Sequence, residues 1–340
     1  MFIVRSSDSS QVKNVTALLV GRLGDLIVAT PLLRALRARF PSARLRLVTS
    51  SLAAGAAEVI PFIDETLASE RFVRPLANLR LAGKLLRGPC DVLIDLNPSF
   101  SRISAAMAAT IRAPLKIAFE KGRLDRLYGR RAAKPAENEH MLDRYARLAA
   151  LIPAPYEPRL ELKIPEAAHR AASKILMSLA PDFYDGSLNV AIHPGNFKKF
   201  DNRWPEENFI ALTNVLLVRP RLRLFYLAGP GELSPVKAIV ARLKKPVPIV
   251  PPSSIAVAAA MISRMRLCVL NITGTTHLAA AVGTPTFGLY SGYTDAVWRP
   301  RGPQHAGSVS TSWESCRDIP LKAAHAALSS QIEGLESRKL

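Results

Sequence analysis

Short apolar runs alternate with longer segments of helical periodicity along the chain. Val15–Val20 is apolar apart from Thr16 and predicts a first strand, and Pro31–Phe40 predicts a helix with leucines on one stripe and arginines on the other. Wholly apolar strands joined by helices favour parallel sheets that are covered on both faces. The pattern predicts further helices at residues 138–151, 166–180 and 206–218, and further strands at Leu45–Thr49, Val92–Leu96, Leu188–His193, Leu222–Ala228, Val247–Val250, Leu267–Asn271 and Thr286–Tyr290.

A stretch rich in proline and charge, from Pro153 to about Gly186, separates two arrays of alternating strands and helices. We therefore predict an N-terminal domain over residues 1–160 and a C-terminal domain over residues 161–340. Both are expected to be doubly wound, Rossmann-like α/β domains facing a cleft, with ligands at the carboxyl ends of the strands. The Ala/Leu-rich run Leu321–Leu328 predicts a last helix, which could complete the second domain or pack back on the first.

The net charge of the chain is unusually positive. There are 46 Lys and Arg residues against 27 Asp and Glu, a formal charge of +19. Residues 1–163 contain 26 basic and 15 acidic residues and the remainder 20 and 12, so the excess is spread over both halves. Such a field attracts nucleic acid, anionic membranes and phosphorylated sugars or nucleotides alike. Aromatic residues make up only 6% of the chain, which disfavours a nucleic-acid partner.

Several chemistries lack the residues that they need. The three cysteines (Cys90, Cys268 and Cys316) are far apart and form no CxxC pair, which disfavours a disulfide framework or a zinc site. There is no Asp-x-Asp, Walker A or Gly-x-Ser-x-Gly sequence. No apolar run approaches the roughly 18 residues of a membrane-spanning helix, and Met1–Val4 is too short for a signal peptide. A cytoplasmic protein, with at most peripheral membrane contact, is expected.

The first segment with candidate chemistry runs from Gly21 to Pro31, directly after the first predicted strand. Gly21 and Gly24 allow the backbone to turn sharply off a buried strand. Asp25 then lies near a helix start at the carboxyl edge of the sheet. It either caps this helix or acts as a general base, since a carboxylate suits the deprotonation of an alcohol.

The second segment, from His193 to Glu206, follows the first strand of the second half. It brings Lys198, Lys199 and Arg203 to the end of a strand, where they could bind a pyrophosphate or form a solvated basic loop.

A third segment, from Asn271 to Ala279, contains Thr273, Gly274, Thr275, Thr276 and His277 where a strand ends and an Ala-rich helix begins. Free N–H groups at such a terminus favour anions, and the hydroxyls add donors. His277 either binds the ligand or makes a structural hydrogen bond. Gly229, in the turn from Ala228 to Glu232, either approaches a nucleotide or simply connects a strand to a helix.

In this order and spacing, these segments resemble glycosyltransferase family 9, the ADP-heptose:lipopolysaccharide heptosyltransferases. The segments that carry the resemblance are Gly24-Asp25 with Pro31-x-Leu33-x-Ala35-Leu36, His140-x-x-Asp143-Arg144-Tyr145, His193-Pro194-Gly195, Arg203-Trp204-Pro205, Thr273-Gly274-x-x-His277-Leu278-Ala279-Ala280-Ala281, Gly283-Thr284-Pro285-Thr286-x-Gly288-Leu289-Tyr290 and Thr294-Asp295. They span roughly residues 15–300.

The resemblance implies a GT-B fold and an inverting, metal-independent transfer of a heptose or related sugar without a cofactor. A nucleotide sugar such as ADP-heptose would bind the C-terminal domain, through His193, Gly195, Lys198, Lys199, Arg203, Gly229 and residues 273–277. A lipopolysaccharide-core or related anionic glycan acceptor would bind the N-terminal domain near Arg22, Gly24 and Arg102. Asp25 matches the residue held to be the catalytic base. The acceptor implies transient contact with the cytoplasmic face of the inner membrane.

Two positions depart from the family pattern. Asn202 stands where the family commonly has Lys, and Ile272 where it commonly has Asp. Both family residues are associated with donor binding, so the donor sugar and nucleotide stay open. The alternatives to heptosyl transfer are a GT-B transferase that uses another nucleotide sugar and a nucleotide-sugar-binding protein without turnover.

Overall fold

The computed structural model describes residues 11–70, 75–122, 124–195, 197 and 203–337. The chain divides into two compact units, Met1–Lys163 and Ile164–Leu340. Within the described residues, each unit contains one six-stranded sheet whose strands all pair in parallel. The α/β class with two doubly wound parallel sheets is therefore confirmed.

The sheet of the first unit has the strand order β3-β2-β1-β4-β5-β6. Its strands are β1 Asn14–Leu19, β2 Arg44–Ser50, β3 Glu65–Ser69, β4 Val92–Asp95, β5 Leu115–Phe119 and β6 Arg130–Ala132. Its helices are α1 Leu23–Val28, α2 Thr30–Arg39, α3 Ser51–Ala54, α4 Pro75–Arg87, α5 Arg102–Thr110 and α6 Met141–Ala150, with short 3₁₀ helices at Gly55–Val59 and Asp125–Leu127.

Apolar side chains of the central strands are buried on both faces of this sheet. Leu18 of β1 and Leu93 of β4 are fully buried and pack with Leu85 of α4 and Ala108 of α5 in one core cluster. Helix α2 packs with α6. The strands β1 and β4 therefore lie at the centre of the unit, and the loops that leave them start from a rigid base.

The second unit repeats this arrangement, with the strand order β12-β11-β10-β7-β8-β9. Its strands are β7 Leu188–His193, β8 Leu222–Leu227, β9 Ile249–Val250, β10 Leu267–Asn271, β11 Thr286–Tyr290 and β12 His305–Val309. Its helices are α7 Glu166–Leu179, α8 Glu206–Leu216, α9 Leu233–Val240, α10 Ile255–Ile262, α11 Gly274–Ala281, α12 Gly292–Trp298 and α13 Leu321–Ser337.

The last helix, α13, packs inside the second unit. Its buried residues Ala324, Leu328 and Ile332 join the core cluster that also holds Trp204 and Phe209. Helix α13 contacts β12 and α8. The final described segment therefore contributes to the core of the second unit.

Two further features concern the sequence expectations. All three cysteines are buried, and none of them forms a disulfide bond. Among the described residues, none of the helices combines the length and the apolar character that crossing a membrane requires.

Candidate functional site

In each sheet the chain reverses its direction of travel between two neighbouring central strands. The pair is β1 and β4 in the first unit, and β7 and β10 in the second. Loops that leave such a pair at their carboxyl ends diverge and open a crevice, which is where doubly wound sheets bind ligands. Of the predicted site residues that the structure describes, most follow β1, β4, β7 or β10, and Gly229 follows β8.

Asp25 lies in the first turn of α1, just after β1. Its Oδ2 accepts a hydrogen bond of 2.6 Å from the backbone N–H of Arg22, the residue that precedes the helix. This bond satisfies one of the free donors at the helix start. The capping interpretation of Asp25 is therefore observed, through Oδ2.

Burial raises the pKa of Asp25 above the ordinary value of 3.8. The hydrogen bond from the Arg22 N–H and the positive charge of the Arg22 guanidinium oppose this shift, but burial is the larger effect. A carboxylate with a raised pKa is a stronger proton acceptor than an exposed aspartate, as a general base requires.

Of the three residues assigned to the acceptor, two are exposed at the carboxyl edge of the first sheet. Arg22 follows β1, and Arg102 is the first residue of α5, which follows β4. Gly24 is buried inside α1. Arg22 and Arg102 are accessible to an anionic ligand, whereas Gly24 is not.

A buried polar network lies beside the Asp25 loop. The Asp95 carboxylate, at the end of β4, pairs with the Lys121 ammonium at 2.6 Å, and both side chains are almost completely buried. Asn97 donates to Asp95 Oδ1 at 2.7 Å and accepts from the backbone N–H of Val20 at 3.1 Å. Sequence reasoning missed Asp95, Asn97 and Lys121. The available signal was that all three polar side chains lie at or just beyond the carboxyl end of an apolar strand.

In the second unit, His193 at the end of β7 joins three loops. Its Nε2 lies 2.9 Å from Oε2 of Glu232, in the turn after β8. Its Nδ1 lies 3.4 Å from Oγ1 of Thr273, which follows β10. Glu232 Oε2 also accepts from the backbone N–H of Gly229 at 2.8 Å. The structure thus brings together His193, Gly229 and Thr273, and adds Glu232, which sequence reasoning did not select.

Gly195 and Gly229 are required by close packing around this centre. A β-carbon at Gly195 would lie 2.3 Å from Cε1 of the His193 ring. A β-carbon at Gly229 would lie 2.7 Å from Oε2 of Glu232. Any side chain at either position would displace His193 or its carboxylate partner.

The N-terminus of α11 is capped by its own threonines. Thr273 Oγ1 accepts from the Thr275 N–H at 3.3 Å, and Thr276 Oγ1 accepts from the Thr273 N–H at 3.2 Å. Thr273, Gly274 and Thr275 are half-buried, so part of this helix end stays accessible. His277 is buried and its ring packs 5.7 Å from that of Trp298, centroid to centroid, which favours a structural role.

The basic loop after β7 is described only in part. Arg203 is buried, lies 4.7 Å from the centroid of the Phe197 ring and pairs with Glu206 at 3.3 Å. Lys198, Lys199 and Asn202 lie outside the described residues, so their predicted roles are untested. Asn271 holds the base of the loop, since its Oδ1 accepts from the Trp204 N–H at 3.0 Å and its Nδ2 donates to the Pro194 carbonyl at 3.0 Å.

The sequence model of glycosyltransferase family 9 (heptosyltransferase) matches residues 78–325, which is most of the chain. The chain belongs to glycosyltransferase family 9. The resemblance that its motifs indicated is confirmed, and the family 9 chain is a glycosyltransferase.

The family 9 chain shares modest identity with a relative over most of its length. The chain is 23% identical over 286 residues to a lipopolysaccharide core heptosyltransferase of Haemophilus influenzae, covering 82% of this chain and 79% of that protein.

Solved structures confirm the GT-B fold of the family 9 chain. A family 9 glycosyltransferase from Veillonella parvula superposes with a TM-score of 0.81 at 18% identity, covering 97% of this chain and all of that one. The ADP-heptose lipopolysaccharide heptosyltransferase II of E. coli superposes with a TM-score of 0.77 at 18% identity, covering 96% and 100%.

Metal independence of the family 9 chain stays a prediction. Within the described ranges, three or more His, Cys, Asp or Glu side chains do not converge in the manner of a metal site.

Proposed function

We propose that the chain transfers a heptose, or a related sugar, from a nucleotide-sugar donor to a lipopolysaccharide-core or related glycan acceptor. The transfer is inverting and needs neither a metal nor a cofactor. The donor binds the second unit, and the acceptor binds the first, where Asp25 is the general base. The observation that carries this proposal is the convergence of three loops on His193.

The proposed donor site lies at the carboxyl ends of β7, β8 and β10. The half-buried helix start at Thr273–Thr275 offers hydroxyls and the positive end of a helix dipole to the pyrophosphate. The carboxylate of Glu232, which repels phosphate, suits the hydroxyls of the nucleoside sugar instead. His193 fixes the distance between these two regions, because it contacts both Thr273 and Glu232.

The proposed acceptor site lies at the carboxyl edge of the first sheet, where cationic and apolar side chains are exposed. Arg22 and Arg102 are exposed there and attract an anionic ligand. Leu52, after β2, and Phe100, after β4, are 54% and 52% exposed at the same edge. Cations beside exposed apolar side chains suit an amphiphile with phosphorylated sugars, such as a glycolipid core. We accordingly expect a cytoplasmic enzyme that works at the inner leaflet of the membrane.

The proposed reaction is a single displacement. The acceptor hydroxyl oxygen attacks the anomeric carbon, and Asp25 takes the hydroxyl proton as the new bond forms. The bond from the anomeric carbon to the diphosphate oxygen breaks, and the nucleoside diphosphate leaves with the electron pair. One displacement from the opposite face inverts the anomeric configuration. The oxygen Oδ1 of Asp25 is the acceptor of the proton, because Oδ2 is held by the Arg22 N–H.

A donor other than ADP-heptose is the second candidate. Ile272 directly precedes Thr273 and places an apolar, half-buried side chain at the end of β10. A carboxylate that would bind donor hydroxyls is absent from this position. Glu232 lies on the far side of the His193 ring, so it could recognise a different hydroxyl pattern.

Ligand binding under metal-free conditions separates the two candidates. The purified protein is heated with ADP-heptose, with GDP-, UDP- and CMP-sugars and with the free nucleotides, in the presence of EDTA. A ligand at 100 times its Kd stabilises a protein by about 2.7 kcal/mol. Stabilisation by ADP-heptose supports the first candidate, and stabilisation by another nucleotide sugar alone supports the second.

Turnover is then measured with the donor that binds and lipopolysaccharide from a heptose-deficient strain. Release of the nucleoside diphosphate that depends on this acceptor, in EDTA, supports the proposed transfer. Strong donor binding without acceptor-dependent release would contradict the assigned acceptor class.

A further inference from the structure

A buried ion pair in the first unit is not explained by the proposed chemistry. The side chains of Lys121 and Asp95 are 2% and 0% exposed, and they lie 2.6 Å apart. Lys121 follows β5 and Asp95 ends β4, so the pair joins the carboxyl ends of two neighbouring strands. Removing two charges from water is costly, and apolar residues of similar volume would often be as stable. Stability alone therefore does not explain this ion pair.

Asp95 uses both of its oxygens. Oδ2 accepts from Lys121 Nζ and from the Tyr128 hydroxyl, at 2.6 and 2.7 Å. Oδ1 accepts from the side-chain amide and the backbone N–H of Asn97, at 2.7 and 3.0 Å. These bonds hold the carboxamide of Asn97 in one orientation, with its oxygen directed at β1.

Asn97 holds the chain where β1 ends. Its Oδ1 accepts from the backbone N–H of Val20 at 3.1 Å, and its Nδ2 donates to the Leu18 carbonyl at 3.2 Å. The regular pairing of β1 with β4 reaches only to Leu18 and Asp95. Asn97 therefore anchors the first residue beyond the strand, which is the start of the loop that carries Asp25.

The opposite side of this loop is anchored from β2. The Ser50 hydroxyl donates to the carbonyl of Gly21. Between these two anchors the chain reaches Arg22, whose N–H holds Asp25 Oδ2 at 2.6 Å. A continuous series of hydrogen bonds and two peptide units thus joins Lys121 to the carboxylate of Asp25.

We propose that Asp95, Asn97 and Lys121 are positioning residues that hold the β1–α1 loop so that the Arg22 N–H stays on Asp25. The proposal rests on the proposed role of Asp25 as general base. The three residues contact neither substrate in this scheme. They determine the orientation and the proton affinity of the base.

The test uses Asn97→Ala, with Tyr128→Phe as the matched control. Both variants remove a buried hydrogen bond to Asp95, but only Asn97→Ala releases Val20. We expect Asn97→Ala to lower kcat by about 10- to 100-fold, since small displacements of a catalytic group have effects of this size. The KM for the donor, which binds the other unit, stays within twofold. Tyr128→Phe keeps kcat near that of the wild type.

A direct measurement on Asp25 separates positioning from a structural role. Carboxyl ¹³C resonances of aspartates are titrated in the wild type and in both variants, with Asp25 assigned by its loss in Asp25→Asn. Without the Arg22 N–H, the pKa of Asp25 rises further above its ordinary value, because burial then acts with less opposition. Tyr145, which interacts electrostatically with Asp25, does not obscure this shift, because burial raises its pKa well above 10 and it stays neutral.

Each outcome has one meaning. If Asn97→Ala lowers the Tm but leaves kcat and the titration of Asp25 as in Tyr128→Phe, the network is structural and the proposal is wrong. If Asp25→Asn itself retains kcat, the proposed base is wrong. Asn97→Ser, which fills more of the space and still loses the bond to Val20, replaces Asn97→Ala if the latter does not fold.

Discussion

The carboxylate of Asp25 fills the space that a side chain at residue 21 would need. A β-carbon built on Gly21 would lie 2.8 Å from both Cβ and Oδ2 of Asp25. Cβ is attached directly to the backbone of α1 and cannot swing away as the end of a long side chain can. Asp25 can therefore occupy this position only with glycine at residue 21, so Gly21 is needed for more than the turn after β1.

Gly21→Ala is expected to reduce kcat by about 100-fold, because it displaces the carboxylate by a fraction of an ångström or more. Donor binding to the second unit is expected to stay the same. The measurement is a comparison of kcat and of donor-induced thermal stabilisation. Gly129→Ala is the control, since its new β-carbon would meet nothing nearer than 3.9 Å. Equal activity of both variants would show that Asp25 tolerates displacement.

Asp25→Asn is expected to lower kcat by about 10²- to 10⁴-fold, the usual contribution of a general base. The amide oxygen can still accept from the Arg22 N–H, so the helix start is preserved. Steady-state kinetics with heptose-deficient lipopolysaccharide and the donor provide the measurement. Asp185→Asn, an exposed carboxylate paired with Arg223, is the control and should keep full activity. A fully active Asp25→Asn enzyme would leave the proposed mechanism without its base.

The raised pKa of Asp25 has consequences for both rate and stability. A base works when deprotonated, so kcat should fall as the pH decreases through a value above 3.8. The folded state favours the protonated carboxyl, so the stability that this group contributes is present at low pH and is lost as the pH rises through the raised pKa. At neutral pH, Asp25→Asn should thus have a Tm equal to or above that of the wild type. A clearly lower Tm would show that the charge stabilises the fold.

Gly195→Ala is expected to raise the Kd for the donor by at least about tenfold, since the new β-carbon would push the His193 ring away from Thr273 and Glu232. Loss of a hydrogen bond at such a centre costs on the order of 1–2 kcal/mol. Thermal stabilisation by the donor gives the Kd directly. An unchanged Kd would indicate that His193 organises the loops without affecting the ligand.

Asn271→Ala should destabilise the fold by on the order of 2–4 kcal/mol, because the buried Trp204 N–H and Pro194 carbonyl lose their partner. Urea denaturation measures this loss. Asn214→Ala is the control, as its side chain accepts from the Lys244 N–H in an exposed loop and should cost less than about 1 kcal/mol. Equal losses would mean that water replaces the bonds of Asn271.

Much of the fold was predictable because the central strands are apolar on both faces. Leu188–His193, Leu267–Asn271 and Thr286–Tyr290 have the predicted bounds, and β1 begins one residue earlier than predicted. Strands β3, β5, β6 and β12 were missed. They read as ETLAS, LKIAF, RRA and HAGSV, which are short, polar or glycine-containing, and pairing with a neighbour defines them more than their own composition does.

The site was predictable where a motif follows a strand and not where partners come from distant segments. Asp25, His193 and Thr273 are adjacent to recognisable glycines, and the carboxyl edge could be assigned from the strand pattern. Glu232 lies 39 residues from His193, and Lys121 lies 26 residues from Asp95. Only the parallel order of the strands brings such residues together, and no local pattern records it. The role of Arg203 was predicted from its charge and from the family resemblance, whereas the structure buries it against Phe197.

Because the two sheets have the same strand order, each unit has its own crevice position at the carboxyl ends of its central strands. On the proposed assignment, residues that recognise the donor and residues that recognise the acceptor share no loop and no core. Substitutions can then accumulate at Ile272 without disturbing the hydrogen bonds around Asp25. Such an enzyme can change the sugar that it transfers while keeping the molecule that it modifies, and exchange of residues 164–340 between relatives would do so in a single step.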